Sequence, residues 1–219
     1  MKVGTDAILL GAWASLDAQP ESILDIGSGT GILALQMARR SQAIQIDAVE
    51  IDHDAYEQCV ENFENSPWSD RLFCYHASIQ EFVSEIDEAY DLIISNPPYF
   101  SEDIKTNDDA RNKARFTDAL PFDHLLICAA HLLTPEGSFQ LILPKSEEEA
   151  FIELAATIGL HPKRICHVKG TQKAEIKRIL LELTRKKEPV TVSELIIETE
   201  RHKYTPEFVA LTREFYLDM

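Results

Sequence analysis

The sequence predicts an α/β fold, a mostly parallel sheet covered by helices on both faces, and three observations predict it. Short apolar runs alternate with segments of helical spacing along most of the chain. The runs are apolar at consecutive positions, as strands buried on both faces are. The last two runs, residues 164–168 and 176–183, are joined around Gly170-Thr171-Gln172-Lys173-Ala174-Glu175 without a helix-length crossover, so they form an antiparallel hairpin at one sheet edge.

The elements follow in order. Residues 22–26 are a first strand ending in Gly27-Ser28-Gly29, and 32–40 carry helical spacing. Residues 46–51 are an apolar strand and 55–65 a helix. Residues 72–76 are a strand, 79–86 a short helix and 90–95 an almost wholly apolar strand. Residues 122–133 read as a helix stopped near Pro135-Glu136-Gly137, then 138–143 as a strand and 146–158 as a helix. Ahead of the sheet, Asp6 reads as the N-cap of a helix over 7–16. Behind it, Thr205 reads as an N-cap with Pro206 at the first helical position and Glu207 in the first turn. Phe208, Leu211, Thr212 and Phe215 then share one helix face. No repeat, low-complexity tract or Gly/Ser linker divides the chain. The expectation is a single domain over 1–219, with an N-terminal segment 1–17, a core 18–187 and a C-terminal strand and helix extension 188–219.

Composition sets bounds. Hydrophobic residues are 45% of 219, enough for one sizeable core. Cys59, Cys74, Cys128 and Cys166 form no C-x-x-C pair, which argues against a zinc site or a disulfide framework and fits a reduced, cytoplasmic interior. The seven histidines show no metal spacing. No apolar run is long enough to span a bilayer, and residues 1–6 show no signal-peptide core. The expectation is a monomer without metal or membrane contact. Charge points away from nucleic acid: 21 Lys and Arg stand against 37 Asp and Glu, a formal net charge of −16. A chain that grips phosphates usually carries a basic surface, so composition weighs toward a protein or small-molecule substrate.

The first chemical motif is Asp25-Ile26-Gly27-Ser28-Gly29-Thr30-Gly31, between a strand and a helix. Glycines there allow a tight turn and close approach of a ligand to the backbone. The helix start beyond them offers free N–H groups. Glu50, ending the next strand, is an acid at the spacing a ribose site requires. The plain alternative is a glycine turn without a ligand. The spacing is G-x-G-x-G, not the dinucleotide G-x-G-x-x-G. Asp25 would repel a pyrophosphate and attract an ammonium group. The segment resembles the cofactor loop of class I methyltransferases. The resemblance implies a Rossmann-like seven-stranded sheet in the order 3-2-1-4-5-7-6 and S-adenosyl-L-methionine as cofactor. It implies that Asp25, Gly27, Ser28, Gly29 and Gly31 surround the methionine moiety, that Glu50 holds the ribose and that Ile51 lies beside it. The family often has Asp at the end of the third strand, facing the adenine amino group; here the chain has Ala77-Ser78, so Ser78 or a backbone group is expected there.

The second motif is Asn96-Pro97-Pro98-Tyr99, directly after the fourth strand. A planar exocyclic amino nitrogen is a poor nucleophile, because its lone pair is delocalised into the ring. Two acceptors on its two N–H bonds would draw it toward a pyramidal shape. Asn96 offers a side-chain carbonyl and Pro97 a backbone carbonyl, with a fixed φ and no competing N–H. Asn96 thus borders the methyl group as well as the acceptor. Tyr99 offers a face for a base to stack on. The plain alternative is a Pro-Pro turn closing a strand. The motif resembles the catalytic loop of methyltransferases acting on the amino groups of adenine, guanine, cytosine or glutamine amide.

Three further stretches narrow the resemblance: the opening through Lys2, Gly4, Thr5, Asp6 and Trp13, then Asn65-Ser66-Pro67-Trp68, and Phe215-Tyr216-Leu217. With Asn96-Pro97-Pro98-Tyr99 between them, the chain looks like the tRNA1(Val) (adenine-N6)-methyltransferase family over almost its whole length. The resemblance implies N6 methylation of the adenine beside the valine anticodon. It also implies that the opening segment closes over the cofactor, with Thr5 and Asp6 near its methionine end. tRNA phosphates would meet Lys105, Arg111, Lys113 and Arg115 after Tyr99, and Arg185, Lys186, Lys187, Arg201, His202 and Lys203 near the C-terminal end. Solvated loop charges are the plain alternative for both groups. The competing functions are protein glutamine N5-methylation, which lacks room for a helical N-terminal domain, rRNA amino-group methylation, and non-catalytic cofactor binding. The last is kept because family members carry more residues before Lys2 than this chain does.

Overall fold

The computed structural model describes residues 4–98 and 120–216. Its sheet comprises β1 (Ser22–Ile26), β2 (Gln45–Glu50), β3 (Leu72–His76), β4 (Tyr90–Ser95) and β5 (Leu133–Pro144), continued by β6 (His161–Thr171), β7 (Ile176–Thr184), β8 (Thr191–Glu200) and β9 (Lys203–Tyr204). The spatial order is β3-β2-β1-β4-β5-β7-β6-β8-β9. The first five are parallel, and β7 runs antiparallel to both β5 and β6. The expected order 3-2-1-4-5-7-6 is therefore present. The expected count of seven is corrected to nine, because β8 joins β6 in parallel and β9 turns back on β8. Both lie at an edge. The Thr191–Glu200 strand buries little beyond Leu195; it is the strand expected within the extension 188–219, and the sequence did not show that it joins the sheet.

Alternation along the strands sorts the helices onto two faces. Ile23, Ile46, Leu92 and Ile94 pack against Leu9 and Leu10 of α1 (Thr5–Trp13), Met37 of α2 (Ile32–Arg40) and Phe63 of α3 (His53–Glu64). Leu24, Val49, Ile93 and Phe139 pack against Phe82 of α4 (Ile79–Glu85), Leu126 of α5 (Phe122–Leu132) and Phe151 of α6 (Glu148–Thr157). Each fully buried side chain of this size stabilises the fold by roughly 1.5–3 kcal/mol. The closing helix α7 (Pro206–Thr212) begins where expected: the Thr205 hydroxyl accepts from the Phe208 N–H, and Pro206 opens the first turn.

Two local expectations change. The residue before α1 is Gly4, and Asp6 lies inside the first turn rather than capping it. The carboxylate gains from the helix dipole there, and it accepts from Arg178 Nε of β7 at 2.9 Å. The helix over 122–132 is not stopped by Pro135-Glu136-Gly137. It passes directly into β5 at Leu133, which pairs with Tyr90. A register shift between Tyr90 and Leu92 absorbs the Pro-Glu-Gly stretch inside the strand.

Candidate active site

The carboxyl ends of β1, β2, β3 and β4 open on one cavity of about 670 Å³. In an open, mostly parallel sheet this is the end at which ligands bind. Gly27 and Gly29 form its floor. Gly27, Gly29 and Gly31 all have φ in the left-handed region, at 70°, 58° and 77°. That conformation strains any residue with a Cβ and leaves the turn to glycine. Gly31 has a second reason, since a Cβ there would stand 2.5 Å from the Phe63 ring and 2.7 Å from Cys59 Sγ. The loop is tied to the next strand by Gly27 and Ser28 N–H groups donating to the Val49 carbonyl at 2.9 and 3.2 Å.

Glu50 ends β2 and lines the cavity. Its Oε2 accepts from the Gly29 N–H at 2.7 Å and its Oε1 from the Asp52 N–H at 2.8 Å. Both carboxylate oxygens are thus aimed by backbone donors, and each keeps a lone pair for a ligand hydroxyl. Ile51, 55% exposed despite being aliphatic, borders the same cavity. Ser78 also lines it, with its polar groups committed locally. Its hydroxyl caps α4 by accepting from the Glu81 N–H, and its own N–H and hydroxyl donate to Glu81 Oε2 at 2.9 and 2.8 Å. Asn96, Pro97 and Pro98 enter from the end of β4, where Ser95 Oγ donates to the Ile26 carbonyl at 2.8 Å and locks β4 against the glycine loop.

Other expected residues lie behind or beside the cavity. Asp25 is fully buried beneath the loop, where its Oδ2 accepts from the Ala34 N–H of α2 at 3.1 Å and its Oδ1 has no partner. Burial pushes its carboxyl up to about 7; the Ala34 hydrogen bond opposes this and the Glu50 charge adds to it. Ser28 is buried against Cys59, and Gly31 packs on α3. Thr5 and Asp6 open α1 and are not part of the cavity wall, Asp6 facing Arg178. Tyr99, Lys105, Arg111, Lys113 and Arg115 lie outside the described residues.

The C-terminal cations separate. β7 is antiparallel, so it ends beside Ser138 at the opposite edge of the sheet from the cavity. Arg185 there donates to the Leu133 carbonyl at 3.1 Å and Lys186 pairs with Glu136, so these two and Lys187 stand away from the site. β8 runs parallel to β6, which returns Arg201, His202 and Lys203 to the cavity's edge of the sheet; Lys203 pairs with Glu200 at 2.7 Å. Ala77, expected at this place together with Ser78, borders the cavity, and sequence reasoning passed over Ile79, Gln80, Leu120 and Pro121, which also line it. Their only signal was position, directly after the third strand or ahead of the helix at 122. Among the described residues no group of three or more His, Cys, Asp or Glu is placed to hold a metal, and no helix is long and apolar enough to cross a membrane.

Residues 4–159 match the methyltransferase small domain family. Two relatives, the tRNA1(Val) (adenine(37)-N6)-methyltransferases of Flavobacterium johnsoniae and Flavobacterium psychrophilum, are 56% and 54% identical, and each alignment covers 100% of this chain and 94% of the relative. A predicted O-methyltransferase from Agrobacterium tumefaciens shares the fold with a TM-score of 0.72 at 20% identity, over 95% of this chain and 96% of its own. A putative RNA methyltransferase from Pyrococcus horikoshii does so with a TM-score of 0.56 at 21% identity, over 81% and 80%. With near-complete coverage at more than half identity, and with the glycine loop, Glu50 and Asn96-Pro97-Pro98 on one cavity, the chain belongs to the tRNA1(Val) (adenine(37)-N6)-methyltransferase family.

Proposed function

We infer that this chain transfers a methyl group from S-adenosyl-L-methionine to the exocyclic N6 of adenine 37 in tRNA1(Val), as a single domain working in the cytoplasm. The observation that carries the reading is the meeting of Asn96, Pro97 and Pro98 with Gly27, Gly29 and Glu50 around one cavity. The residues fit the cofactor. The Gly27 Cα faces open space where a Cβ would intrude, and Glu50 presents a carboxylate held by two backbone donors. Asp25 adds a buried carboxyl with an unpartnered oxygen beneath the loop. When bound, the cofactor supplies an electrophilic methyl on a sulfonium.

The chain's own residues do the rest. Glu50 accepts from the ribose hydroxyls while Gly29 and Asp52 keep it from rotating. Gly27 and Gly29 let the methionine portion lie on bare backbone, above Ser28, Gly31 and the Asp25 carboxyl; Ile51 covers the purine. Asn96 Oδ1 and the Pro97 carbonyl accept the two N–H bonds of the target nitrogen, and Tyr99 stacks on the base. As N6 gains the methyl, it becomes cationic and gives up one of those protons to water, since an amide oxygen is too weak a base to keep it. Positioning and electrostatics therefore supply the rate. Lys105, Arg111, Lys113, Arg115, Arg201 and Lys203 meet tRNA phosphates against an otherwise acidic surface. Incubating the protein with labelled cofactor and unmodified total tRNA, then digesting to nucleosides, tests this. Label in N6-methyladenosine is expected; label in another nucleoside, or none from protein that binds the cofactor, would overturn it.

A further inference from the structure

We propose that the Gln80 side-chain carbonyl recognises the exocyclic amino group of the cofactor's adenine, and that His124 fixes the amide in the orientation this needs. The proposal rests on the cavity being the S-adenosyl-L-methionine site.

An adenine amino group is a donor, and once enclosed it requires an acceptor. With the ribose at Glu50, the purine extends past Ile51 toward the wall formed by Ala77, Ser78, Ile79 and Gln80. The polar groups on that wall are largely spent. The Ser78 hydroxyl and N–H belong to its exchange with Glu81, and its carbonyl accepts from the Phe82 N–H at 3.0 Å. The Ala77 N–H donates to the Glu50 carbonyl at 3.2 Å. Asn96 follows another strand, β4, where the methyl acceptor must bind.

Gln80 remains. Its Nε2 is 3.2 Å from Nδ1 of His124, in the first turn of α5. An amide nitrogen has no lone pair to offer, so Nε2–H donates and His124 Nδ1 accepts, with the ring proton on Nε2. The rotation of the amide is thereby chosen. Its nitrogen is spent on α5, Gln80 lines the cavity, and its carbonyl oxygen, which has no partner among the described residues, is left free to accept. The helix that supplies His124 follows Leu120 and Pro121, which border the same space. A purine with a carbonyl oxygen in place of the amino group would set acceptor against acceptor.

Calorimetry with S-adenosylhomocysteine and S-inosylhomocysteine tests the proposal without turnover. The wild type should bind the adenosyl form at least about tenfold more tightly, one good hydrogen bond's worth. Gln80→Ala should lose about tenfold on the adenosyl form and nothing on the inosyl form. Gln80 is exposed in the first turn of α4 and Ala is a strong helix former, so folding is not at risk. His124→Phe should shrink the preference, with inosyl affinity holding or rising, because the amide is then free to turn its N–H toward the inosyl carbonyl. An unchanged preference in Gln80→Ala, or an equal loss on both ligands, overturns the Gln80 role, and an unchanged preference in His124→Phe overturns the His124 role. Failure of the wild type to bind either ligand would instead refute the reading of the cavity itself.

Discussion

The two halves of the sheet do different work. The parallel half, β3-β2-β1-β4, brings its carboxyl ends to the cavity, and almost all of the cavity wall comes from it. The half built from β5, β7, β6 and β8 contributes none of the residues placed against cofactor or methyl acceptor. It is tied instead by ion pairs: Glu182, almost wholly buried on β7, meets Arg164 and Lys163, and the Arg164 guanidinium lies 4.1 Å over the Trp13 ring. The difference teaches that left-handed glycines, a carboxylate held by backbone donors and a buried acid with an unpartnered oxygen are tolerated where ligands bind, while the buried carboxylate of the other half, Glu182, is matched by two cations within the fold.

Substitutions that damage one half and spare the other sharpen this comparison. The largest effect is expected at Asp25. Its carboxyl rises from 3.8 to about 7 on folding. A raised carboxyl favours the folded state at low pH, where both states are protonated. That advantage is lost as pH climbs from about 4, where the unfolded chain ionises, to about 7, where the folded one follows. The loss is roughly 4 kcal/mol by linkage for a fully buried acid. Asp25→Asn should remove it, so melting temperatures measured from pH 4 to 8 should fall for the wild type relative to the variant. Parallel pH profiles would contradict the account.

Next comes Asn96→Ala. Loss of one preorganised transition-state partner costs about 10²–10³-fold in turnover, and cofactor affinity by calorimetry should stay within about twofold, since no cofactor contact depends on Asn96 alone. Retained turnover would separate Asn96 from the chemistry. In the other half, Glu182→Ala should leave two cations facing a buried site and lower stability by about 2–3 kcal/mol, less than for a fully buried pair because Lys163 and Arg164 are part-exposed. Denaturant midpoints would show it, and cofactor affinity should be unaltered; a shift in affinity would break the division between the halves. The smallest effect is Glu50→Ala, which removes charge-assisted hydrogen bonds and should weaken the cofactor about tenfold to a hundredfold. An unaltered dissociation constant would remove the ribose assignment.

Most of the parallel half was legible in the sequence, because strands buried on both faces read as continuous apolar runs and because Gly27, Gly29, Glu50 and Asn96 stand beside strand ends. The edge was legible only as a strand and helix extension over 188–219, not as part of the sheet. Thr191–Glu200 buries Leu195 alone, and exposed or half-buried residues flank it, so nothing in it specifies a partner strand. Asp6 looked like a cap because capping and first-turn acids are the same residue types, and only Arg178, remote in sequence, shows which it is. The parting of Arg185 from Arg201 was also hidden, since it follows from the direction of β7 and β8 rather than from composition. Gln80 carried no signal, because its orientation is set by a histidine 44 positions away.

The most direct test of the central claim uses two transcripts of tRNA1(Val), one with adenine at position 37 and one with guanine there. The protein with labelled S-adenosyl-L-methionine should methylate only the first, and all label should appear in N6-methyladenosine. Equal labelling of both transcripts, or none of the first by protein that binds S-adenosylhomocysteine, would contradict the account.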